Sequence, residues 1–165
     1  MDPKPKRPRH ITPDGFKRIS AEHELIWKKL RPKIVSEVEA AAAMGDRSEN
    51  AEYLYGKKKL RELDRRLREL GELLDTLTVT EPTPHPSGRA YFGAWVTVEH
   101  EDGREKTYRL VGPDETDSAS GSISVEAPLG RALLGKKEGE EVSVRVPAGL
   151  VELTIVEVRW TRPKE

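Results

Sequence analysis

Two carboxylates, Asp46 and Glu49, stand in the polar stretch "AMGDRSENAEY" (residues 43–53), between two long runs with helical apolar spacing. That spacing puts both acids at the tip of a helical hairpin. Acids three residues apart at such a tip have two chemical uses. Asp46 can cap the second helix by accepting from the backbone N–H at position 49, with Glu49 reaching back, and both suit the positive end of the helix dipole. The same pair offers hard oxygen donors to Mg²⁺, which takes one or two carboxylates and completes its shell with water and phosphate oxygens. Two acids do not enclose the ion, so a partner must supply the remaining ligands. A metal held there turns water into a nucleophile or steadies a leaving oxygen. The two uses coexist, because a capping oxygen keeps lone pairs free.

Directly behind the tip, residues 57–68 carry seven basic side chains (Lys57, Lys58, Lys59, Arg61, Arg65, Arg66, Arg68) against Glu62 and Asp64. Coiled-coil flanks are usually of mixed sign, and an excess of +5 in twelve residues fits a polyanion. No sequence-reading module is present, so the expected target is a phosphate backbone and not base edges.

The elements that must position these residues are legible from apolar spacing. Thr12 is a good N-cap and Pro13 suits the first helical position. Phe16, Ile19, Ile26, Leu30, Ile34 and Val38 then recur at helical intervals, with His23 in the gap. Pro32 lies inside this pattern and is expected to kink the helix without ending it. Gly45 is a candidate C-cap. In the second helix Leu60, Leu63, Leu67, Leu70, Leu74 and Leu77 step by three and four, an a/d seam. The expectation is an antiparallel coiled coil with arms of about 30 residues, roughly 45 Å long.

"TVTEPTPHPSGR" (78–89) has three prolines and no apolar period, so it reads as a linker. Beyond it the period becomes two. "YFGAWVTVEH" and "KTYRLVG" flank the turn Asp102-Gly103, "SISVEA" is a short strand, "PLGRALLG" a short helix, and "EEVSVRVPAGLVELTIVEVRW" a second hairpin. The fold class is α+β: a basic tail over 1–11 read as disordered, the hairpin over 12–79, a linker over 80–89, and a sheet domain over 90–162.

Composition agrees. Of 165 residues, 35% are hydrophobic and 35% charged, which favours a thin-cored object. There is no Cys, which removes disulfides, thiol nucleophiles and thiolate metal sites. The longest apolar run, Ala40–Met44, is far too short for a bilayer. "MDPKPKRPRH" lacks the apolar stretch of a signal peptide, so a cytoplasmic protein with no membrane partner is expected. Residues 1–80 hold 18 Lys/Arg and 14 Asp/Glu; residues 81–165 hold 11 and 15. The opposite signs point to two modules with different partners.

"GDRSENAEYLYGKKKLRELDRRLREL" resembles the coiled-coil tip of the bacterial Gre transcript-cleavage factors, and its dense basic run is more GreB-like than GreA-like. "TPDGFKRI", "RPKI", "YFGAWVTVE", "YRLVGPDE", "ISVEAPLGRALLG" and "KKEGEEVSVRVPAG" resemble the rest of the family pattern, over nearly the whole chain. The resemblance implies a C-terminal domain similar to FKBP that docks at the rim of the RNA polymerase secondary channel, with docking contacts at Asp114, Glu115, Pro128 and Arg131. It implies that the coiled coil enters the channel as a monomeric accessory factor. Asp46 and Glu49 would there share a Mg²⁺ with the polymerase active site and promote cleavage of the backtracked nascent RNA 3′ end. In GreB-like members the basic run, here Lys57 to Arg68, would hold the extruded RNA. One departure is Ala127-Pro128, where the family often has Ser-Pro. The main alternative is a regulator that occupies the channel without stimulating cleavage. A prolyl isomerase would need an aromatic-lined pocket, and Tyr91, Trp95 and Trp160 are assigned here to packing. A plain scaffold coiled coil leaves the tip and the basic run unexplained.

Overall fold

The computed structural model describes residues 9–45 and 50–163. Contacts divide the chain into two units, one over residues 16–77 and the other over 7–15 with 78–165.

The first unit is the hairpin. Its outgoing arm is α1 (Pro13–Leu25), a π-helical turn (Ile26–Leu30) and α2 (Arg31–Ala43); its return arm is α3 (Ala51–Thr76). The helix does continue past Pro32, as the periodicity required. Proline has no N–H to give, and the turn before it absorbs the mismatch by widening: the Arg31 N–H reaches back to the Ile26 carbonyl, five residues away. This shifts the phase of the apolar stripe. Ile26, Leu63 and Leu70 form the buried seam, with Ile19, Ile34 and Leu67 against it. Leu30, expected in the seam, is 39% exposed. Toward the tip the helices approach until a Cβ on Gly56 would lie 2.6 Å from Val38 Cγ2, so position 56 takes no side chain without displacing the opposite arm. Two ion pairs lace the arms: Arg66 donates to both oxygens of Glu22 at 2.7 and 2.9 Å, and Arg31 Nε donates to Asp64 at 2.7 Å.

The second unit contains a five-stranded sheet. Its strands are β3 (Trp95–His100), β4 (Glu105–Val111), β5 (Ser122–Ser124), β6 (Glu141–Val146) and β7 (Gly149–Arg159), in spatial order β5-β4-β3-β7-β6. β3 and β4 form the hairpin expected at Asp102-Gly103, where the Asp102 carboxylate accepts from the Arg104 N–H at 3.0 Å. β5 runs parallel to β4, and β6 and β7 form the second hairpin. The alternating Val96, Val98, Leu110, Val142, Val144, Leu153 and Ile155 fill one face, and Leu133 from α4 (Pro128–Leu133) closes it. Residues 80–89 hold no helix or strand.

The N-terminal boundary differs from expectation. Residues 9–11, assigned to a disordered tail, form β1 (Arg9–Ile11), which pairs with β2 (Leu77–Val79). Residues 12–15, assigned to the hairpin, group with the sheet unit. The cause is one buried carboxylate. Glu115, in the 3₁₀ turn Pro113–Glu115, accepts from the Thr12 N–H at 2.8 Å, from the Thr12 hydroxyl, and from the Gly112 N–H at 3.2 Å. Thr12 is the expected cap: its hydroxyl oxygen accepts from the Gly15 N–H at 3.1 Å while its proton goes to Glu115. A Cβ at Gly15 would collide with that carboxyl group, which accounts for the glycine in "TPDGF".

Two stability outcomes follow. Glu115→Ala leaves the buried Thr12 and Gly112 N–H groups without an acceptor and should cost about 2–3 kcal/mol, read as a lower urea midpoint at unchanged m-value. In the hairpin, the hydrogen bond from Arg66 holds the Glu22 carboxyl below its ordinary pKa; partial desolvation opposes this and the Arg66 charge assists it. A carboxyl depressed on folding adds stability above its unfolded pKa and loses it as pH falls through its folded one. The pair is largely exposed, so Glu22→Gln should cost at most about 1 kcal/mol at neutral pH. That gap from wild type should close as the pH drops below roughly 4 in thermal melts. A gap independent of pH would contradict it.

Candidate functional site

Asp46 and Glu49 lie outside the described residues. What the structure does describe is how the chain is gathered on either side of them. α2 ends at Ala43, with Met44 as its C-cap donating to the Ala41 carbonyl at 3.2 Å. The same carbonyl accepts from Asn50 Nδ2 at 2.7 Å. Asn50 also caps α3: its Oδ1 accepts from the Tyr53 N–H at 3.1 Å. One side-chain amide therefore ties the end of α2 to the start of α3. The second helix begins at Ala51 with Asn50 as its N-cap, not with Asp46 as the capping-box reading expected. The helix start needs no carboxylate. Among the described residues there is no cluster of three or more His, Asp or Glu placed to hold a metal. Any ion at the tip therefore depends on Asp46, Glu49 and ligands from elsewhere.

The seven basic residues of α3 do not act as one group. Leu63 and Leu70 fix the buried line of the helix. On one flank Lys59, Glu62, Arg66 and Glu69 pair along the helix, with Lys59–Glu62 at 4.0 Å and Arg66–Glu69 at 3.7 Å, and Arg66 also holds Glu22. That flank is electrically satisfied. Lys57, Lys58, Arg61, Arg65 and Arg68 have no carboxylate within 4.0 Å among the described residues. They occupy the other flank and the outward face, three and four residues apart. A cation excess with no internal partner is the part of the run that is available to a polyanion.

On the sheet unit the four docking residues divide in the same way. Glu115 is 5% exposed, and its oxygens are taken by Thr12 and Gly112. Asp114 receives Arg9 Nε and Nη2, both at 2.8 Å. Both acids hold β1 in place, so an outward docking role is corrected for Glu115 and, while Arg9 is bound, for Asp114. The reason is that a carboxylate already paired inside the fold has little left to offer a partner. Pro128 and Arg131 are exposed on α4. Beside α4 lies a mostly apolar cavity of about 390 Å³, lined by Tyr91, Phe92, Pro113, Val125 and Leu134, with Arg9, His10 and Glu126 at its polar margin. Tyr91, assigned to packing from sequence, thus faces a cavity and meets the His85 ring with centroids 4.8 Å apart.

Sequence reasoning did not single out Asn50, Arg9 or Trp27. Asn50 carried a signal, since Asn before a helical run is a preferred cap. Arg9 carried none, because its partner is 105 residues away. Among the described residues, no helix is long and apolar enough to cross a membrane.

Comparison with known proteins bears on both units. The N-terminal domain profile of the GreA/GreB transcription elongation factors matches residues 9–79, and the C-terminal profile matches residues 85–160. Transcription elongation factor GreB of Pseudomonas aeruginosa is 51% identical over 150 residues, covering 91% of this chain and 89% of that protein. The GreB of Yersinia pestis is 47% identical over 151 residues, covering 92% and 88%. Among solved structures, the GreA factor homolog Gfh1 of Thermus thermophilus aligns with a TM-score of 0.42 at 22% identity, covering 93% of this chain and 99% of that one. A GreA/GreB factor from Nitrosomonas europaea aligns at 0.41 and 22%, covering 92% and 98%. With both domain profiles matched in order, and identity near one half along nine-tenths of its length, the chain belongs to the GreA/GreB family of transcription elongation factors, on its GreB side.

Proposed function

We propose that this factor enters the secondary channel of RNA polymerase with its hairpin and stimulates cleavage of backtracked nascent RNA at the polymerase active site. The observation that carries the reading is the partition of α3: one flank neutralised by ion pairs, the other basic and without carboxylate partners among the described residues, running back from the helix ends that Asn50 ties together. Such a surface suits an RNA phosphate backbone leading to the tip. Family membership supports the same reading.

At the tip, Asp46 and Glu49 are the residues that would hold Mg²⁺, and two hard carboxylates fit an ion that keeps open positions for water and phosphate. When bound, the ion supplies the activation of water that phosphodiester hydrolysis needs. Asn50 contributes by fixing the two helix ends between which the acids are presented. Because α3 is capped by the Asn50 amide, its start does not depend on either acid. The chain is an accessory factor: two carboxylates do not complete a metal site, so the chemistry waits for the polymerase. Pro128 and Arg131, with the cavity beside them, form the surface offered for docking.

The test is transcript cleavage in backtracked elongation complexes, with and without the protein. Asp46→Ala/Glu49→Ala should abolish stimulation while polymerase binding persists. Its stability should stay within about 0.5 kcal/mol of wild type. Asn50→Ala, in contrast, should cost about 1 kcal/mol. Undiminished cleavage by the double variant would remove the metal reading, and binding without any stimulation by the wild type would favour a channel-occupying regulator.

The basic surface gives a second outcome. Reversing Lys58, Arg61 and Arg65 to Glu should shorten the released RNA fragments and flatten the salt dependence of RNA contact by roughly 2 units in log–log slope, about 0.7 per phosphate. Arg66→Gln, which removes a paired cation, should lower hairpin stability and leave that slope nearly unchanged. Equal slopes for the two variants would defeat the partition.

A further inference from the structure

The feature of the hairpin that neither the tip nor the basic run uses is Trp27. It lies in the π-helical turn and is 57% exposed, a large apolar ring on a shaft whose other outward residues are mostly charged. Its surroundings are specific. The Arg31 guanidinium lies over the ring, 6.0 Å from its centroid, and the same guanidinium donates to Asp64 of α3 at 2.7 Å. Arg31 thereby spans from Trp27 to the return helix. Arg61 and Arg68 are the helical neighbours of Asp64, three residues before and four after. Both belong to the set with no carboxylate partner among the described residues. The exposed indole therefore borders the unpaired flank of α3. The paired flank lies elsewhere, because Glu22 of α1 meets Arg66 there.

An exposed aromatic face with unpaired arginines beside it is the combination that binds single-stranded nucleic acid. Cations follow the phosphates, and the ring takes a base, which every nucleotide offers whatever its sequence. We propose that Trp27 is a base-stacking platform for single-stranded RNA, with Arg61 and Arg68 contacting the phosphates on either side. This rests on the proposed function for the source of its RNA, the extruded 3′ segment, and not for the cleavage chemistry. Arg31 acts as a positioning residue: tethered by Asp64, it holds the indole from one side. The π-helical turn has a part in this, since the phase shift it introduces turns Leu30 outward next to Trp27 and away from the seam. A protein surface opposite Trp27 is the rival occupant. The charge around the ring favours RNA, because the acids near it, Glu24 and Asp64, are each held by a cation, Lys28 and Arg31.

The experiment uses the full chain as wild type, Trp27→Ala and Trp27→Phe. Fluorescence anisotropy with a labelled single-stranded oligoadenylate, titrated across salt concentrations, reads stacking apart from charge. Stacking releases no counterions, so Trp27→Ala should weaken binding about tenfold at every salt concentration, with an unchanged slope. Trp27→Phe, which keeps a ring, should recover most of the loss. Arg61→Ala should instead flatten the slope. Wild-type affinity in Trp27→Ala would overturn the proposal. In backtracked complexes, the defect of Trp27→Ala should grow with the length of extruded RNA. An equal loss of polymerase affinity at every length would also overturn it, placing protein opposite the ring. If wild type stimulates no cleavage but the anisotropy pattern holds, the function proposed above fails and the stacking site stands.

Discussion

A two-helix hairpin has a single seam and no second layer behind it. Among the described residues Ile26, Leu63 and Leu70 are its buried cluster, with three half-buried neighbours, and Ala41 and Gly56 are buried nearer the tip. Most of the rest faces water, which is why the chain can be 35% charged and still fold. With so little apolar burial, the arms are held in register by side chains at the seam's border: Arg66 on Glu22, Arg31 on Asp64, and Asn50 on the Ala41 carbonyl. Charges used for register are no longer free for binding. Charges left over have no carboxylate partner among the described residues. The division between structural and available cations on α3 thus comes directly from the thinness of the hairpin.

The sheet unit solves a different problem. It has a conventional core, ten buried apolar residues in one cluster, and does not need ion pairs to hold it. Its polar investment goes instead to the chain entry. Glu115 and Asp114 receive Thr12 and Arg9, so that the segment leading into the first helix is seated by four side chains from two distant stretches. Buried carboxylates are costly to leave unpaired, and here the donors close around them. The exposed end of this unit, α4 with Pro128 and Arg131 beside the cavity, is left unencumbered by those contacts.

Much of this was legible in the sequence, and the exceptions have physical causes. Leu63, Leu67 and Leu70 of the leucine steps fall in the seam, whereas Leu77, expected there too, leaves the helix for β2. Leu30 was misplaced because a period of 3.6 was assumed straight through Pro32, whereas the π-helical turn widens there. The cap of α3 was assigned to Asp46 although Asn50 is an equally good capping residue; what decides between them is a carbonyl on the opposite helix, which spacing does not reveal. Asp114 and Glu115 read as surface acids because their donors are more than a hundred positions upstream. Trp27 passed unremarked because composition gives no exposure. The tip acids are the reverse case: the sequence alone carries them, since Asp46 and Glu49 lie outside the described residues.

The clasp on Thr12 also sets an order of events at the ribosome. The hairpin's lacing joins residues 33 and 44 positions apart, so it can close as soon as α3 has emerged. Glu115 lies 103 positions beyond Thr12. Synthesis runs from N- to C-terminus, so Thr12 is made well before the 3₁₀ turn at Pro113–Glu115 whose carboxylate accepts from it, although β1 itself can already pair with β2. Until then Ile11 and Thr12, both fully buried in the finished protein, are open to solvent and to other chains. The side-chain partners of the entry segment are thus made long after the segment itself.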